Sequence, residues 1–271
     1  MALTVRDIIK IVESIAPADL AEKWDNIGLQ LGSSAWAVKS IRVALDPLPE
    51  VVAAACADGV SLLITHHPLI FDPIRSLTFD TAFGAVLEKA ALHRLSILCV
   101  HTNLDAADGG LNDVLAERIG LKNLKMLDRR DQEGPFLAPQ GLGRIGDLPE
   151  KVELIGFARS VKKKLGLGSL RLVGDPGLVV CKSAVCSGSG GSLLNAFLNS
   201  DAQVYVTGDL RYHDARAAEA AHRGLIDIGH FCSEHLIKDV LADRIRKLLE
   251  SAGENVGIDI CRLEKDPFVV L

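Results

Sequence analysis

The feature that most constrains the fold of this chain is a repeated alternation of short aliphatic runs with helical patterns. The runs SIRVALD, SLLITHH and SILCVHT have the length and the β-branched content of buried strands, and amphipathic segments separate them. Parallel strands require such crossovers, and strands that are covered on both faces are aliphatic throughout. The alternation therefore predicts an α/β fold with mixed, mainly parallel sheets covered by helices.

A polar stretch around residues 125 to 150, broken by prolines and glycines, divides this pattern. The alternation then resumes, beginning with a helix that we expect over 149–166. Such a break is typical of a linker, so we expect a first α/β lobe over 1–125 and a second over 126–234. The C-terminal residues 235–271 are expected to rejoin the first lobe.

The acidic balance of the chain argues against a nucleic-acid partner. Its net charge is -5, whereas binding to a phosphate backbone needs a basic face. No apolar stretch has the length of a membrane span, and the amphipathic N-terminal segment carries Asp7 and Glu13, unlike a signal or transit peptide. We therefore expect a cytoplasmic protein without a membrane partner.

The six cysteines are scattered along the chain and form no CxxC pair. In a chain of 271 residues we expect them to be small buried side chains rather than a disulfide framework. A thiolate zinc site is not expected either. Histidines and carboxylates are the better candidates for chemistry.

The most informative motif is LLITHHPLIFDP, in which a buried strand ends in His66 and His67 and Pro68 stops the strand ladder. The carboxyl ends of strands are where α/β sheets place ligands. Neighbouring strand residues point to opposite faces, so each histidine can hold one of two metal ions. A single histidine here would more often be a hydrogen-bonded core residue, and the tandem pair makes the two interpretations about equal.

Two further strand ends carry candidate ligands. CVHTNLD supplies His101 and Asp105, and a carboxylate such as Asp105 can bridge two cations. IDIGHFCSEH supplies His230 and, four residues later, Glu234. Turn and helix capping is the alternative for both carboxylates. Imidazole and carboxylate together suit Zn, Fe, Mn, Ni or Co, so the motifs predict two divalent ions without identifying the element.

Two weaker signals remain. The glycine-rich turn CSGSGGSLL, residues 186–194, could bind an anion at a helix start, but it lacks the lysine of a P-loop and a plain tight turn is favoured. TGDLRYHDA places Asp209, Tyr212 and His213 after another strand, where they could line the site or orient the ligating imidazoles. Ordinary helix capping is an equal alternative for this motif.

The sequence resembles the Nif-three-like family, whose members are also described as GTP cyclohydrolase 1 type 2 homologues or dinuclear metal-centre proteins. The motifs WDNIGLQLG, ITHHPLIF, VHTNLDAADGGLND, SGSGG, TGDLRYHDA and IDIGHFCSE occur in the family's order over nearly the whole chain. The resemblance implies two α/β lobes, a two-metal site in the cleft between them, and a hexameric ring. It also implies five metal ligands, which are His66, His67, Asp105, His230 and Glu234.

The function expected from these motifs is a metal-dependent hydrolase resembling GTP cyclohydrolase 1 type 2, with a nucleotide-like small-molecule substrate. His101, Tyr212 or His213 would supply the acid or base. The alternatives are a non-catalytic metal-binding regulatory or interaction protein and a metal storage or delivery protein. A hexamer is expected from the resemblance, with a dimer as the next state, and the mean hydropathy of +0.24 fits an assembly that buries aliphatic surface.

Overall fold

The computed structural model describes residues 3–129 and 141–270, so the central part of the polar stretch lies outside the described residues. The chain forms two compact units. The first unit comprises Met1–Ala107 and Ile237–Lys265, and the second comprises Asp108–Leu236 and Asp266–Leu271. Each unit contains one mixed sheet covered by helices, which confirms the expected fold class.

The first unit is built on a five-stranded sheet in the order β1-β4-β3-β2-β11. Strands β2, β3, β4 and β11 run parallel to their neighbours in the sheet, and β1 is antiparallel to β4 at the edge. The strands are β1 Gly28–Leu31, β2 Ser40–Ala44, β3 Leu62–Thr65, β4 Ser96–Cys99 and β11 Gly257–Ile260. The helices are α1 Val5–Ile15, α2 Pro49–Ala57, α3 Ala82–Leu92, α4 Thr102–Ala106 and α10 Ile237–Ser251.

The central strands of this sheet are buried along their whole length, as aliphatic strands between two helical layers should be. Helix α2 begins with Pro49 in its first turn, where the missing N–H has no helical partner to lose. Its residues Val52 and Ala55 pack with Leu63 and Ile97 of the sheet in one apolar cluster.

The second unit contains a six-stranded sheet in the order β5-β6-β8-β9-β10-β7. Strands β8, β9 and β10 are parallel, whereas the β5–β6, β6–β8 and β10–β7 pairs are antiparallel. The strands are β5 Lys122–Met126, β6 Arg144–Glu153, β7 Arg171–Val173, β8 Val179–Ser189, β9 Val204–Gly208 and β10 Gly224–Asp227. The helices are α5 Leu111–Ile119, α6 Leu154–Leu165, α7 Leu194–Leu198, α8 Tyr212–Ala220 and α9 His230–Glu234.

The expected helix over 149–166 is wrong in its first residues. Strand β6 continues to Glu153, and α6 begins only at Leu154. Val152 and Glu153 pair with β8, and this pairing outweighs the helical preference of the local sequence. Pro149, which has no N–H to donate, falls where the β6–β8 register is irregular.

None of the described helices has the length and apolar character that a membrane crossing needs. In the part of the chain that the structure describes, none of the six cysteines forms a disulfide bond. Cys56, Cys99, Cys186 and Cys261 are buried, as expected for small core side chains, but Cys181 is exposed.

Candidate metal site

Three parallel strands of the first unit end in register. Ala44 of β2 lies beside Thr65 of β3, and Thr65 lies beside Cys99 of β4. The residues that follow each strand therefore emerge together at the carboxyl edge of the sheet. They include Asp46 after β2, His66 and His67 after β3, and His101 after β4.

The three imidazoles form a compact cluster. The ring centroids of His66 and His67 are 5.0 Å apart, and the ring of His101 lies 5.2 Å from the first and 5.6 Å from the second. One ligand nitrogen of each ring lies within 4.8 Å of the others, so the group could hold a metal ion. Asp105 in α4 joins this group, with its Oδ1 3.7 Å from Nε2 of His66.

Hydrogen bonds define which nitrogen of His66 and His67 carries the proton. The Nδ1 of His66 lies 2.9 Å from the carbonyl oxygen of Val100, which can only accept, so Nδ1 donates. The Nδ1 of His67 lies 2.7 Å from Oδ1 of Asp46 and donates to that carboxylate. In the neutral rings, Nε2 then keeps the lone pair that a metal requires.

His101 is held in the same way by Asp25, whose Oδ1 accepts from Nδ1 at 2.9 Å. The other oxygen of Asp25 accepts from the backbone N–H and the hydroxyl of Thr102. Burial alone would raise the pKa of Asp25, but the hydrogen bonds from His101 and Thr102 outweigh it and lower the pKa to about 2. Asp25 is therefore a carboxylate at neutral pH and an acceptor that fixes the ring of His101.

In the second unit, a histidine and two carboxylates lie together in a similar way. Gly208 ends β9 and Asp227 ends the neighbouring parallel strand β10, so Asp209 and His230 follow at one sheet edge. The Nδ1 of His230 lies 2.7 Å from Oδ2 of Asp209, and its Nε2 lies 3.1 Å from Oε2 of Glu234 one helical turn later. Asp209 has a positive φ of 55°, a conformation that aspartate tolerates better than most residues.

The glycine-rich segment, residues 186–194, packs against His230 and Glu234. A Cβ at Gly188 would lie 2.4 Å from Oε1 of Glu234, and the φ of Gly188 is 59°. The backbone N–H of Gly188 donates to Ser233 Oγ, and that of Ser187 donates to Asn112 Oδ1. These two N–H groups are used within the protein and are not available to an anion. The expected plain tight turn is wrong, because the strand continues to Ser189 and a short 3-10 helix, Gly190–Leu193, follows it.

The structure brings some of the sequence-predicted residues together and not others. His101, considered as a catalytic residue, lies inside the imidazole cluster. Asp209 is a partner of a candidate ligand, as one of the two interpretations of its motif required. Tyr212 and His213 open α8 as exposed residues whose rings contact each other at 5.5 Å, and their catalytic role stays a prediction.

The sequence reasoning did not identify Asp25 or Asp46. Asp46 follows a buried strand by two residues, so the strand-end rule used for the histidines could have found it. Asp25 belongs to the motif WDNIGLQLG, but it is 76 residues from His101, and the motif by itself does not predict that contact. Their roles become visible only from the hydrogen bonds.

The donor set fits a divalent transition metal. Imidazole nitrogens and carboxylate oxygens are the ligands that zinc, iron, manganese, nickel and cobalt share. The thiol of Cys99 lies nearby, but burial raises its pKa, and it donates to the carbonyl oxygen of His66. Cys99 is therefore a protonated neighbour of the site and not a thiolate ligand.

The fold and the site define a two-unit α/β protein with imidazole and carboxylate side chains at the carboxyl ends of parallel strands. The sequence profile of the family Duf34/NIF3 (NGG1p interacting factor 3) matches residues 3–267. The chain belongs to this family, which confirms the resemblance seen in its motifs.

Individual relatives match this chain over nearly its full length. The chain is 32% identical over 266 residues to the GTP cyclohydrolase 1 type 2 homolog of Clostridium perfringens, covering 98% of this chain and 99% of the relative. It superposes on a NIF3-related protein of Bacillus cereus with a TM-score of 0.91 and 28% identity, over 99% of both chains. Reduced HcgD from Methanocaldococcus jannaschii matches with a TM-score of 0.76 and 32% identity, over 96% of this chain and 98% of that one.

Proposed function

We propose that this protein binds two divalent transition-metal ions through five side chains, which are His66, His67, Asp105, His230 and Glu234. The observation that carries the proposal is the hydrogen-bonding arrangement that the imidazoles share. In both units Nδ1 is engaged by a carbonyl or carboxylate oxygen, which leaves Nε2 as the basic nitrogen. Metal-ligating histidines almost always show this arrangement, because the acceptor fixes the tautomer and the ring orientation.

The ligands of the first unit support a count of two ions. His66 and His67 are consecutive residues whose Nδ1 atoms donate to different acceptors. The acceptor of His66 is the carbonyl oxygen of Val100, just after β4, and that of His67 is Asp46, after β2. Asp105 offers two oxygens, so it can serve two ions at once. That His230 and Glu234 complete the same centre remains the prediction made from the sequence, and the variants below test it.

Elemental analysis of protein expressed with added metal should find close to two ions per chain. In a shared centre, Asp105→Ala and Glu234→Ala should each lose most of both ions, because each carboxylate holds part of one assembly. Loss of only one ion in each variant would indicate separate sites, and full occupancy in both would overturn the assignment. Cys181→Ala is the matched control, because this exposed cysteine should leave the metal content unchanged.

We further propose that the centre serves hydrolysis, as the name of the Clostridium relative suggests. When bound, divalent ions act as Lewis acids that make water more acidic and polarise the group under attack. His101 is the best-placed proton carrier among the predicted catalytic residues, because its ring lies within the imidazole cluster and Asp25 fixes its orientation. Tyr212 and His213 remain further candidates.

A panel of nucleotides and phosphoesters tests this activity on protein of known metal content. Turnover that rises with metal content and falls in His101→Gln, while that variant keeps its metal, supports the hydrolase. If His101→Gln also loses metal, the histidine is a ligand. No turnover across the panel with full metal content would instead favour a metal-binding regulatory protein, or storage and delivery.

We propose that the protein acts as a homohexamer in the cytoplasm. The tail residues Phe268, Val269 and Val270 expose 79%, 81% and 75% of their surface, and burying such side chains between copies is the common role of symmetric assembly. Cysteines without disulfide bonds fit a reducing compartment. Light scattering should give six times the 29.0 kDa chain mass, and a stable single-chain mass would refute the ring.

A further inference from the structure

Two large aromatic side chains lie exposed beside the imidazole cluster. Trp24 exposes 60% of its surface and Phe71 exposes 55%, and their ring centroids are 6.0 Å apart. The ring of Trp24 also meets His101 edge-on at 6.1 Å. Aromatic rings of this size are normally buried, so a contacting pair in solvent marks a surface that binds something.

The backbone that carries both rings is fixed by hydrogen bonds. Asp25, next to Trp24, accepts from His101 and from Thr102. Ile70, next to Phe71, accepts from Asn26 Nδ2 at 2.6 Å and donates its N–H to Gln30 Oε1 at 2.7 Å. The residues next to both rings are therefore anchored, which reduces the ordering that a ligand must bring about when it binds.

We propose that Trp24 and Phe71 form a stacking surface for a flat heteroaromatic ring of the substrate. This inference rests on the proposed metal-dependent function and adds to it the residues that would bind the ring of the substrate. A ring that stacks on Trp24 would lie close to the imidazole cluster, because the ring of His101 is 6.1 Å from that of Trp24. Stacking on aromatic side chains accepts any base with a π face, so the surface selects ring systems and not one particular base.

A permanent protein partner suits this surface less well. Trp24 is in ring contact with His101, and His101 is in ring contact with His66 and His67. A protein that covered Trp24 would therefore lie close to the imidazoles and would restrict access to the centre that the proposed function needs to keep open. A small molecule that enters and leaves meets both requirements.

The two tryptophans of the chain make a direct test possible. Trp36 lies elsewhere, with the guanidinium of Arg94 4.9 Å above its ring. Trp36→Phe leaves Trp24 as the sole tryptophan, and Trp24→Phe leaves Trp36. Metal-loaded samples of both variants are titrated with guanosine while tryptophan fluorescence is recorded, and ribose 5-phosphate serves as the ligand without an aromatic ring.

We expect saturable quenching by guanosine in Trp36→Phe, none in Trp24→Phe, and none with ribose 5-phosphate in either. In calorimetry, Trp24→Leu should weaken guanosine binding about tenfold. Absent quenching of Trp24 at millimolar guanosine, or equal quenching of both tryptophans, would overturn the proposal. A Trp24 emission that is blue-shifted before any ligand is added, and that does not respond to guanosine, would do the same and point to coverage by another copy.

Metal content, measured on the same samples, separates this proposal from the function on which it rests. If Trp24 responds to guanosine in protein that cannot be loaded with metal, the metal function fails and the stacking surface stands as a nucleoside site. If the protein holds two ions but Trp24 does not respond, only the stacking surface fails.

Discussion

Breaking the ion pair between Lys238 and Glu264 should destabilise the protein by about 3 kcal/mol, because either partner alone would be a buried charge. Lys238 in α10 exposes 4% of its surface and Glu264, beyond β11, exposes 8%. Nζ of Lys238 lies 2.5 Å from Oε2 of Glu264 and also donates to the carbonyl oxygen of Cys261. The other oxygen, Oε1, accepts the backbone N–H groups of Leu45 and Asp46, both at 2.6 Å.

The double variant should cost much less than the sum of the two single variants. Lys238→Met leaves the carboxylate of Glu264 with its two backbone donors but without its counter-charge. Glu264→Gln keeps an oxygen for those donors but leaves a buried ammonium beside an amide. Removing both charges together removes the unpaired charge, so we expect a coupling energy of about 2 kcal/mol in the double-mutant cycle.

Urea unfolding followed by circular dichroism measures each free energy. The chain offers a matched control on the same elements, since Arg262 and Asp239 form a pair whose side chains are 66% and 50% exposed. The corresponding cycle with Arg262→Met and Asp239→Asn should give a coupling of less than about 1 kcal/mol. Additive effects at Lys238 and Glu264, or equal couplings for the two pairs, would refute the argument from burial.

Three further outcomes are expected. Asp46→Asn and Asp209→Asn should each weaken metal binding by about 10- to 100-fold in competition with a chelator, because each carboxylate orients the imidazole of a proposed ligand, and unchanged affinity would contradict this. Leu63→Ala, in a fully buried strand residue, should cost about 3 kcal/mol in urea unfolding, and a cost below about 1 kcal/mol would show that the core collapses into the gap. Hydrogen bonds from Thr4 lower the pKa of Asp7, so its stabilising effect is complete above the ordinary value of 3.8 and is lost as the pH falls. The difference in melting temperature between the wild type and Asp7→Asn should therefore shrink in acid, and a constant difference would contradict it.

The strand ends of the site could be predicted from the sequence, whereas the acceptors of His66 and His101 could not. His66, His67 and Asp105 follow buried aliphatic runs, and parallel strands bring such residues to one edge whatever the details of packing. The partner of His66 is a backbone carbonyl that any residue at position 100 would supply. Only the register of β3 and β4 decides that this oxygen faces Nδ1.

The second sheet shows a different limit. Its parallel core of β8, β9 and β10 follows from the strand–helix alternation, whereas the antiparallel edge formed by β5 and β6 does not. Residues of β6 such as Lys151 and Glu153 are exposed, so the strand lacks the continuous apolar pattern that marks a buried one. Its conformation is set by pairing with β8, a contact distant along the chain.

Both units orient an imidazole with the same arrangement of an aspartate and a histidine at neighbouring strand ends. In each, an aspartate follows one parallel strand, a helix crosses over, and a histidine follows the neighbouring strand. The spacing is 21 residues and the Nδ1–carboxylate distance is 2.7 Å for Asp46 with His67 and for Asp209 with His230. A right-handed crossover of this length returns the chain beside its starting point, so the two residues meet without any specific loop sequence.

The two aspartate–histidine pairs differ in what positions the aspartate. In the second unit the backbone itself does so, since Asp209 has a φ of 55° and Gly229, before His230, has a φ of 78°. In the first unit the position depends on Glu264, whose carboxylate accepts the N–H of Asp46 from a segment more than two hundred residues away. The C-terminal return to the first unit therefore contributes to the candidate site as well as to the sheet. Substitutions at Glu264 should weaken the hydrogen bond between Asp46 and His67 and leave the one between Asp209 and His230 unchanged.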